Sequence, residues 1–250
     1  MQSGGEHLTG DRPRECGCPA PESPVAAELK AASKTFRSGQ VQVVALQATD
    51  LQLLRGELAL ILGPSGSGKT TLLSLLGCVL YPTEGCVCIQ GTNTAGLGDA
   101  GMAALRLRAI GFVFQQFNLV APLSSEENVM APLLLQRVGR AEVRERAGQA
   151  LARVGLSQRR RFLPRQLSGG EQQRVAIARA LVTDPPIMLC DEPTASLDAA
   201  SMESVLRQLR DLADGGKAVA VVTHDPRLER WADRILRMEN GAVVEERRLR

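Results

Sequence analysis

Aromatic residues are scarce. One Trp, one Tyr and five Phe make up 3% of 250 residues, too few to tile a base-stacking surface. Charge of one sign is not in excess either: 30 Lys and Arg against 27 Asp and Glu leave a net +3, which excludes nucleic-acid binding driven by charge alone. No apolar run approaches the roughly 18 residues that span a bilayer, so the chain is not expected to cross a membrane by itself. Residues 1–27 are polar and rich in Gly, Pro and Ser. They lack the apolar centre of a secretory signal and read as a disordered leader. C-x-x-C is absent. The six cysteines instead include C-x-C pairs, Cys16/Cys18 and Cys86/Cys88, the spacing of neither a structural zinc site nor a disulfide framework. Cys86 and Cys88 alternate within an apolar run and are expected to face one side of a strand as small buried hydrophobes. That usage suits a reducing cytosol.

What the chain does have is a regular alternation of two patterns. Leu58–Leu62, Ile110–Phe114, Ile187–Cys190 and Ala218–Val222 are short continuous apolar runs, as in parallel strands buried on both faces. Between them lie helical stripes such as Val143, Ala147, Ala150, Leu151, Val154 and Met202, Val205, Leu206, Leu209, Leu212. Ile235–Met238 and Ala242–Val244 flank Asn240-Gly241, a hairpin signal. Strands alternating with helices predict an α/β fold with a largely parallel sheet, and no internal repeat is present.

Gly63-Pro64-Ser65-Gly66-Ser67-Gly68-Lys69-Thr70 satisfies G-x-x-x-x-G-K-[ST] at every fixed position, after one apolar run and before the helix opening at Thr71. Glycines let successive N–H groups point at phosphate oxygens, and the helix N-terminus adds positive potential. Lys69 would reach the β- and γ-phosphates, and the Thr70 hydroxyl would ligate Mg²⁺. A dinucleotide fingerprint fails, because Thr71 stands where its third glycine would be. A second apolar run ends in Asp191-Glu192. Asp191 suits Mg²⁺, held through water, and Glu192 alternates to the other side, free to take a proton from attacking water. Then comes Leu167-Ser168-Gly169-Gly170-Glu171-Gln172-Gln173-Arg174, in which Ser168 reads as an N-cap with Glu171 three residues on. Its glycines make a second anion-binding nest.

With these segments in hand, the sequence resembles the ATP-binding-cassette (ABC) ATPases over about residues 28–245. GPSGSGKTT resembles their Walker A, IMLCDEPTASLD their Walker B and D-loop, and LSGGEQQRVAIARAL their signature. Gln115 is similar to the Q-loop glutamine, His224 in VVTHD to the switch histidine, and Phe36 in SKTFRSG to the aromatic that stacks on adenine. IGFVFQQFNLV, ENVMAPLLL and THDPRLERWADRILRMENG look most like the bacterial macrolide- and lipoprotein-export branch. Departures are mild: Phe36 replaces a commoner tyrosine, Cys190 an aliphatic residue, and Leu163 precedes Pro164 where an aromatic is frequent.

The resemblance implies a P-loop NTPase with a RecA-like parallel-sheet core, an N-terminal antiparallel β region and a helical signature lobe at about 118–180, within a cassette of residues 28–250. It implies ATP hydrolysis with Mg²⁺, with Lys69, Gln115, Glu192 and His224 catalytic and Thr70, Gln115 and Asp191 on the metal. Phe36, Gly63 to Thr71, Ser168, Gly169, Gly170 and Asp198 would touch nucleotide. With one P-loop and one signature per chain, the expected partners are a second copy, head to tail, and a transmembrane permease on the cytoplasmic face of the membrane. A cassette that regulates envelope remodelling or division without moving solute is the alternative. DNA-repair and ribosome-type cassettes fit less well, because only about fifty residues separate Gln115 from Ser168 and no second cassette follows. Arg159-Arg160-Arg161 reads as a solvated stretch.

Overall fold

In the computed structural model, which describes residues 16–39, 41–195 and 197–250, the described residues form, besides three short 3-10 turns, ten strands and six α-helices. In order these are β1 (Val25–Ser38), β2 (Val41–Leu54), β3 (Leu58–Leu62), α1 (Lys69–Leu76), β4 (Glu84–Ile89), β5 (Thr92–Asn93), α2 (Asp99–Ala109), β6 (Ile110–Val113), α3 (Ser125–Leu135), α4 (Arg140–Arg153), α5 (Gly169–Leu181), β7 (Ile187–Asp191), α6 (Ala199–Asp214), β8 (Ala218–Thr223), β9 (Arg234–Glu239) and β10 (Ala242–Arg248). β2, β1, β4 and β5 form an antiparallel sheet, and β10, β9, β3, β8, β7 and β6 a second one. β3, β6, β7, β8 and β9 run parallel, and β10 closes the edge antiparallel to β9.

The unbroken apolar runs follow from burial on both faces. Leu58, Leu60 and Leu62 of β3 face one core with Val219 and Val221 of β8 and Cys190 of β7. Ala59 and Ile61 face the other, with Ala220, Val222 and Leu189. The first core extends into the helical lobe, where Val129, Leu133, Val143, Ala147, Leu151 and Val175 pack together. The second holds α1: Leu72, Leu73, Leu75 and Leu76 lie fully buried between the two sheets. At about 1.5–3 kcal/mol for each fully buried large side chain, this packing outweighs the weak propensity of an eight-residue helix. The phosphate loop is therefore anchored to the core at both ends. Asn240 (φ 47°) and Gly241 (φ 78°) turn β9 into β10 in the left-handed conformation that an Asn-Gly hairpin needs.

Two expectations are corrected. The leader does not reach residue 27: β1 already pairs with β2 from Val25, and Arg55 donates to the carbonyls of Pro21 and Ser23, fixing the segment before it. Residues 1–15 lie outside the described part. Cys86 and Cys88 are buried on β4, but not as inert hydrophobes, because the 16–18 segment lies alongside and joins Cys16 to Cys86 and Cys18 to Cys88 as disulfides. The reading missed this because the partners are 70 residues apart, beyond any local pattern. Arg159 and Arg160 keep the solvent exposure expected of them and pair there with Glu171 and Glu126 respectively.

Candidate functional site

The loop from Gly63 to Gly68 leaves β3 at its carboxyl end and enters α1, the place where open α/β sheets bind ligands. Gly68 is required twice over. Its φ of +96° is left-handed, and a Cβ there would lie 2.4 Å from the carbonyl oxygen of Ala45. The first N–H groups of α1, from Lys69 on, have no intrahelical acceptor and point into the loop with the positive end of the helix dipole. Lys69 is 7% exposed, and its Nζ donates to the carbonyls of Gly63 and Pro64, 2.8 Å each. Burial holds its pKa below the usual lysine value, against the pull of Glu192 and Asp191. The buried Ser67 hydroxyl has no hydrogen-bond partner among the described residues. A cationic, N–H-rich cradle with an orphaned hydroxyl fits a polyphosphate.

The Thr70 hydroxyl donates to Asp191 Oδ2 at 3.2 Å. Burial pushes the Asp191 carboxyl up, only partly opposed by the Thr70 hydrogen bond, while the charge of Glu192 raises it further and Lys69 lowers it. Glu192 follows at φ 47°, a left-handed conformation that costs a non-glycine residue about 1–3 kcal/mol and is characteristic of functional sites. Its N–H still donates to Val222, continuing the sheet. The twist aims the carboxylate at β8. There Oε2 accepts from the Thr223 hydroxyl at 2.9 Å, and Oε1 lies 2.7 Å from His224 Nδ1. Thr223 is fully buried and itself accepts from the Asp225 N–H.

Lys69, Thr70, Asp191, Glu192 and His224 are thus brought together. Gln115 sits exposed just past β6 and makes no hydrogen bond to Thr70 or Asp191. The loop after it is fastened to the signature helix, because the Arg179 guanidinium donates to the carbonyls of Phe117 and Asn118. Ser168 caps α5 in a reciprocal box with Glu171, as read from sequence. It is exposed, with Gly169 and Gly170 half-buried. Asp198 caps α6, accepting from the N–H groups of Ala200 and Ser201 and from the Ser201 hydroxyl, which hold its carboxyl below the usual range. Ser201 lies against Gly170.

A cavity of about 430 Å³ beside the loop is lined by Gly66, Gly68, Lys69, Thr70 and Thr71, by Val43, Val44 and Ala45 of β2, and by the Asn240-Gly241 turn. Phe36, 43% exposed, is paired with Val43 across the β1–β2 hairpin but is not itself on the lining. Nothing from the 168–170 segment lines it either. Sequence reasoning missed Thr223, although it ends a strand one residue before His224, and it missed the two valines. It found the Asn-Gly turn but not its place, where the Gly241 N–H donates to Ser67.

Residues 46–195 match the protein-family model described as ABC transporter. The chain is 44% identical over 228 residues to an uncharacterized ABC transporter ATP-binding protein of Methanocaldococcus jannaschii, covering 89% of this chain and 97% of that protein. It is 41% identical over 224 residues to the macrolide export ATP-binding/permease protein MacB of Hyphomonas neptunium, covering 90% of this chain and 35% of that one. The chain therefore spans about a third of the length of the macrolide-export relatives it matches. Among solved structures, it superposes with a TM-score of 0.85 at 43% identity on a dimeric, post-hydrolysis ATP-binding cassette bound to ADP and phosphate, covering 90% of this chain and 99% of that one.

Proposed function

The chain belongs to the ABC transporter family, as one of its ATP-hydrolysing cassettes, and from that premise we propose that two copies close head to tail on ATP to power a membrane transporter of the export or lipoprotein-release type. The observation that carries this is the one-sided cavity. The phosphate loop, Asp191, Glu192 and His224 share one lobe, while the 168–170 segment, exposed at Ser168 and half-buried at its glycines, belongs to another and contributes nothing to the lining. A second copy would complete the site, with Ser168, Gly169 and Gly170 of one protomer capping the γ-phosphate held by its partner.

In this reading, nucleotide draws Lys69 Nζ from the carbonyls of Gly63 and Pro64 onto the β- and γ-phosphates. Phe36 stacks on the base, with Val43 and Val44 beneath. Thr70, Asp191 and Gln115 offer hard oxygen donors that fit Mg²⁺, which when bound neutralises charge across the phosphates. Glu192 accepts a proton from the attacking water as the water oxygen bonds to the γ-phosphorus and the bond to the β–γ bridging oxygen breaks, releasing ADP. Thr223 and His224 hold that carboxylate in place. Asp198 sets the start of α6, and Ser201 there positions Gly170.

A cleft of about 410 Å³ between α2, β6, α3 and α5, lined by Leu107, Phe112, Pro132, Leu135 and Arg179, suits a short cytoplasmic helix of a permease. Leu135 is 72% exposed there, and Arg179 ties the cleft to the loop after Gln115. The test is light scattering on Glu192→Gln. It should dimerise with ATP and be monomeric without, and a monomer at saturating ATP overturns the head-to-tail reading. Leu135→Asp should leave ATPase activity intact and abolish co-purification of a membrane-spanning subunit.

A further inference from the structure

Four of the six cysteines converge far from the phosphate loop. Two C-x-C pairs lie side by side in matched order, Cys16 against Cys86 and Cys18 against Cys88. The pairing extends across the cluster: Cys16 Sγ lies 3.5 Å from Cys88 Sγ, and the sulfurs of Cys16, Cys18 and Cys88 all fall within 4.8 Å of one another. Cys86 is set on the same face of β4, two residues before Cys88. Four thiolates around zinc, at about 2.3 Å each, place their sulfurs about 3.8 Å apart, close to the separations among Cys16, Cys18 and Cys88, with Cys86 joined to this group through Cys16.

The surroundings suit an anionic metal site. Cys86 and Cys88 are 8% and 2% exposed, so one wall is dry. Lys30 of β1 is the register partner of Cys86. Its ammonium donates to the Gly17 carbonyl, between Cys16 and Cys18, and also pairs at 3.1 Å with Glu28, the register partner of Cys88, so its charge is shared between that carboxylate and the site. Cys16 and Cys86 also border an open cleft of about 640 Å³, which gives a metal an entry path. A cassette that consumes ATP works where thiols are kept reduced and disulfides do not persist. In that setting, soft thiolates in this number select zinc.

We propose that Cys16, Cys18, Cys86 and Cys88 form a tetrathiolate zinc site that clips the segment before β1 onto β4, and that the two disulfides are its oxidised, metal-free form. The chemistry balances. Each disulfide takes two electrons and two protons from a cellular dithiol, which becomes a disulfide, and the four thiols release four protons as one Zn²⁺ binds. The inference rests on the ATPase reading for its compartment, but its test does not depend on it.

The full chain, expressed in a reducing cytosol and purified without oxygen or chelator, is analysed for zinc by mass spectrometry, with ATP hydrolysis assayed on the same preparation. About one zinc per chain is expected in wild type and in Cys78→Ser/Cys190→Ser, which removes the two buried cysteines outside the cluster. Zinc should fall to background in Cys16→Ser/Cys18→Ser. A readout on wild type avoids reliance on that variant's folding: an organomercurial should release the zinc as four thiols are consumed, and Co²⁺ in its place should show intense thiolate charge-transfer absorption. A metal-free chain with four free thiols, iron in place of zinc, or an intact mass showing both disulfides would overturn the proposal. Hydrolysis without zinc refutes the metal site alone, and zinc without hydrolysis refutes the ATPase reading alone.

Discussion

Thr223 offers a sharp test of how Glu192 is used. Its hydroxyl donates to Glu192 Oε2 at 2.9 Å from a fully buried position. Valine removes the donor and keeps the shape. A hydrogen bond to a charged acceptor is worth about 1.5–3 kcal/mol, so Thr223→Val should lower kcat by about 10- to 150-fold if the bond acts in the transition state. Stability should fall by about 1–3 kcal/mol, because the Asp225 N–H loses its acceptor and the largely buried Glu192 carboxylate loses a donor. Glu192→Gln keeps both polar neighbours satisfied and should leave stability nearly unchanged. It removes the base, which is worth about 10²–10⁴ in rate, or about 3–5 kcal/mol. The two effects should not add. In the Glu192→Gln background no base remains to be oriented, and Thr223→Val should change kcat by less than about twofold. Steady-state phosphate release on the four proteins, with thermal melts alongside, gives the cycle. An equal loss from Thr223→Val in both backgrounds would refute the claim that Thr223 acts through Glu192.

Lys69→Ala should weaken nucleotide binding by about 10- to 100-fold in a fluorescence titration, since it removes a charge-assisted phosphate contact. Wild-type affinity would contradict the assigned role. Phe36→Ala should weaken ATP binding by about 1–2 kcal/mol while Phe36→Tyr retains it, as expected of ring stacking, and equal losses would point elsewhere. Asp191→Asn should stabilise the nucleotide-free protein at neutral pH while abolishing hydrolysis. The folded carboxyl has its pKa raised by burial, so wild type carries a stability contribution that is full below pH 3.8 and is lost as pH rises through the folded value. The melting advantage of Asp191→Asn should therefore be present at pH 7 and vanish in acid, and a constant advantage at all pH would show that the charge is not its origin.

What the sequence makes legible is whatever a short window determines. β3, β7 and β8 are readable because strands covered on both sides must be apolar at every position, not at alternate ones. The Ser168 box and the Asn240-Gly241 turn are readable because a cap or a turn is satisfied within three or four residues. Glu192 could be found beside Asp191, but its partners could not. The bond to Thr223 exists because β7 and β8 are adjacent in a strand order that differs from the chain order. Val43 and Val44 look like ordinary strand residues until the hairpin turn at Gly241 is seen to seat β2 against the phosphate loop, with the Gln47 N–H donating to Gly241. The cysteines are the strongest case. Each C-x-C pair, taken alone, has the wrong spacing for a metal. Only the placement of the 16–18 segment beside β4 brings the two pairs together, and that placement is a property of the folded chain. A two-residue spacing puts Cys86 and Cys88 on one face of β4, and the 16–18 segment laid alongside brings two more sulfurs to that face. The spacing that argued against a site within either segment is thus compatible with the proposed site shared between the two.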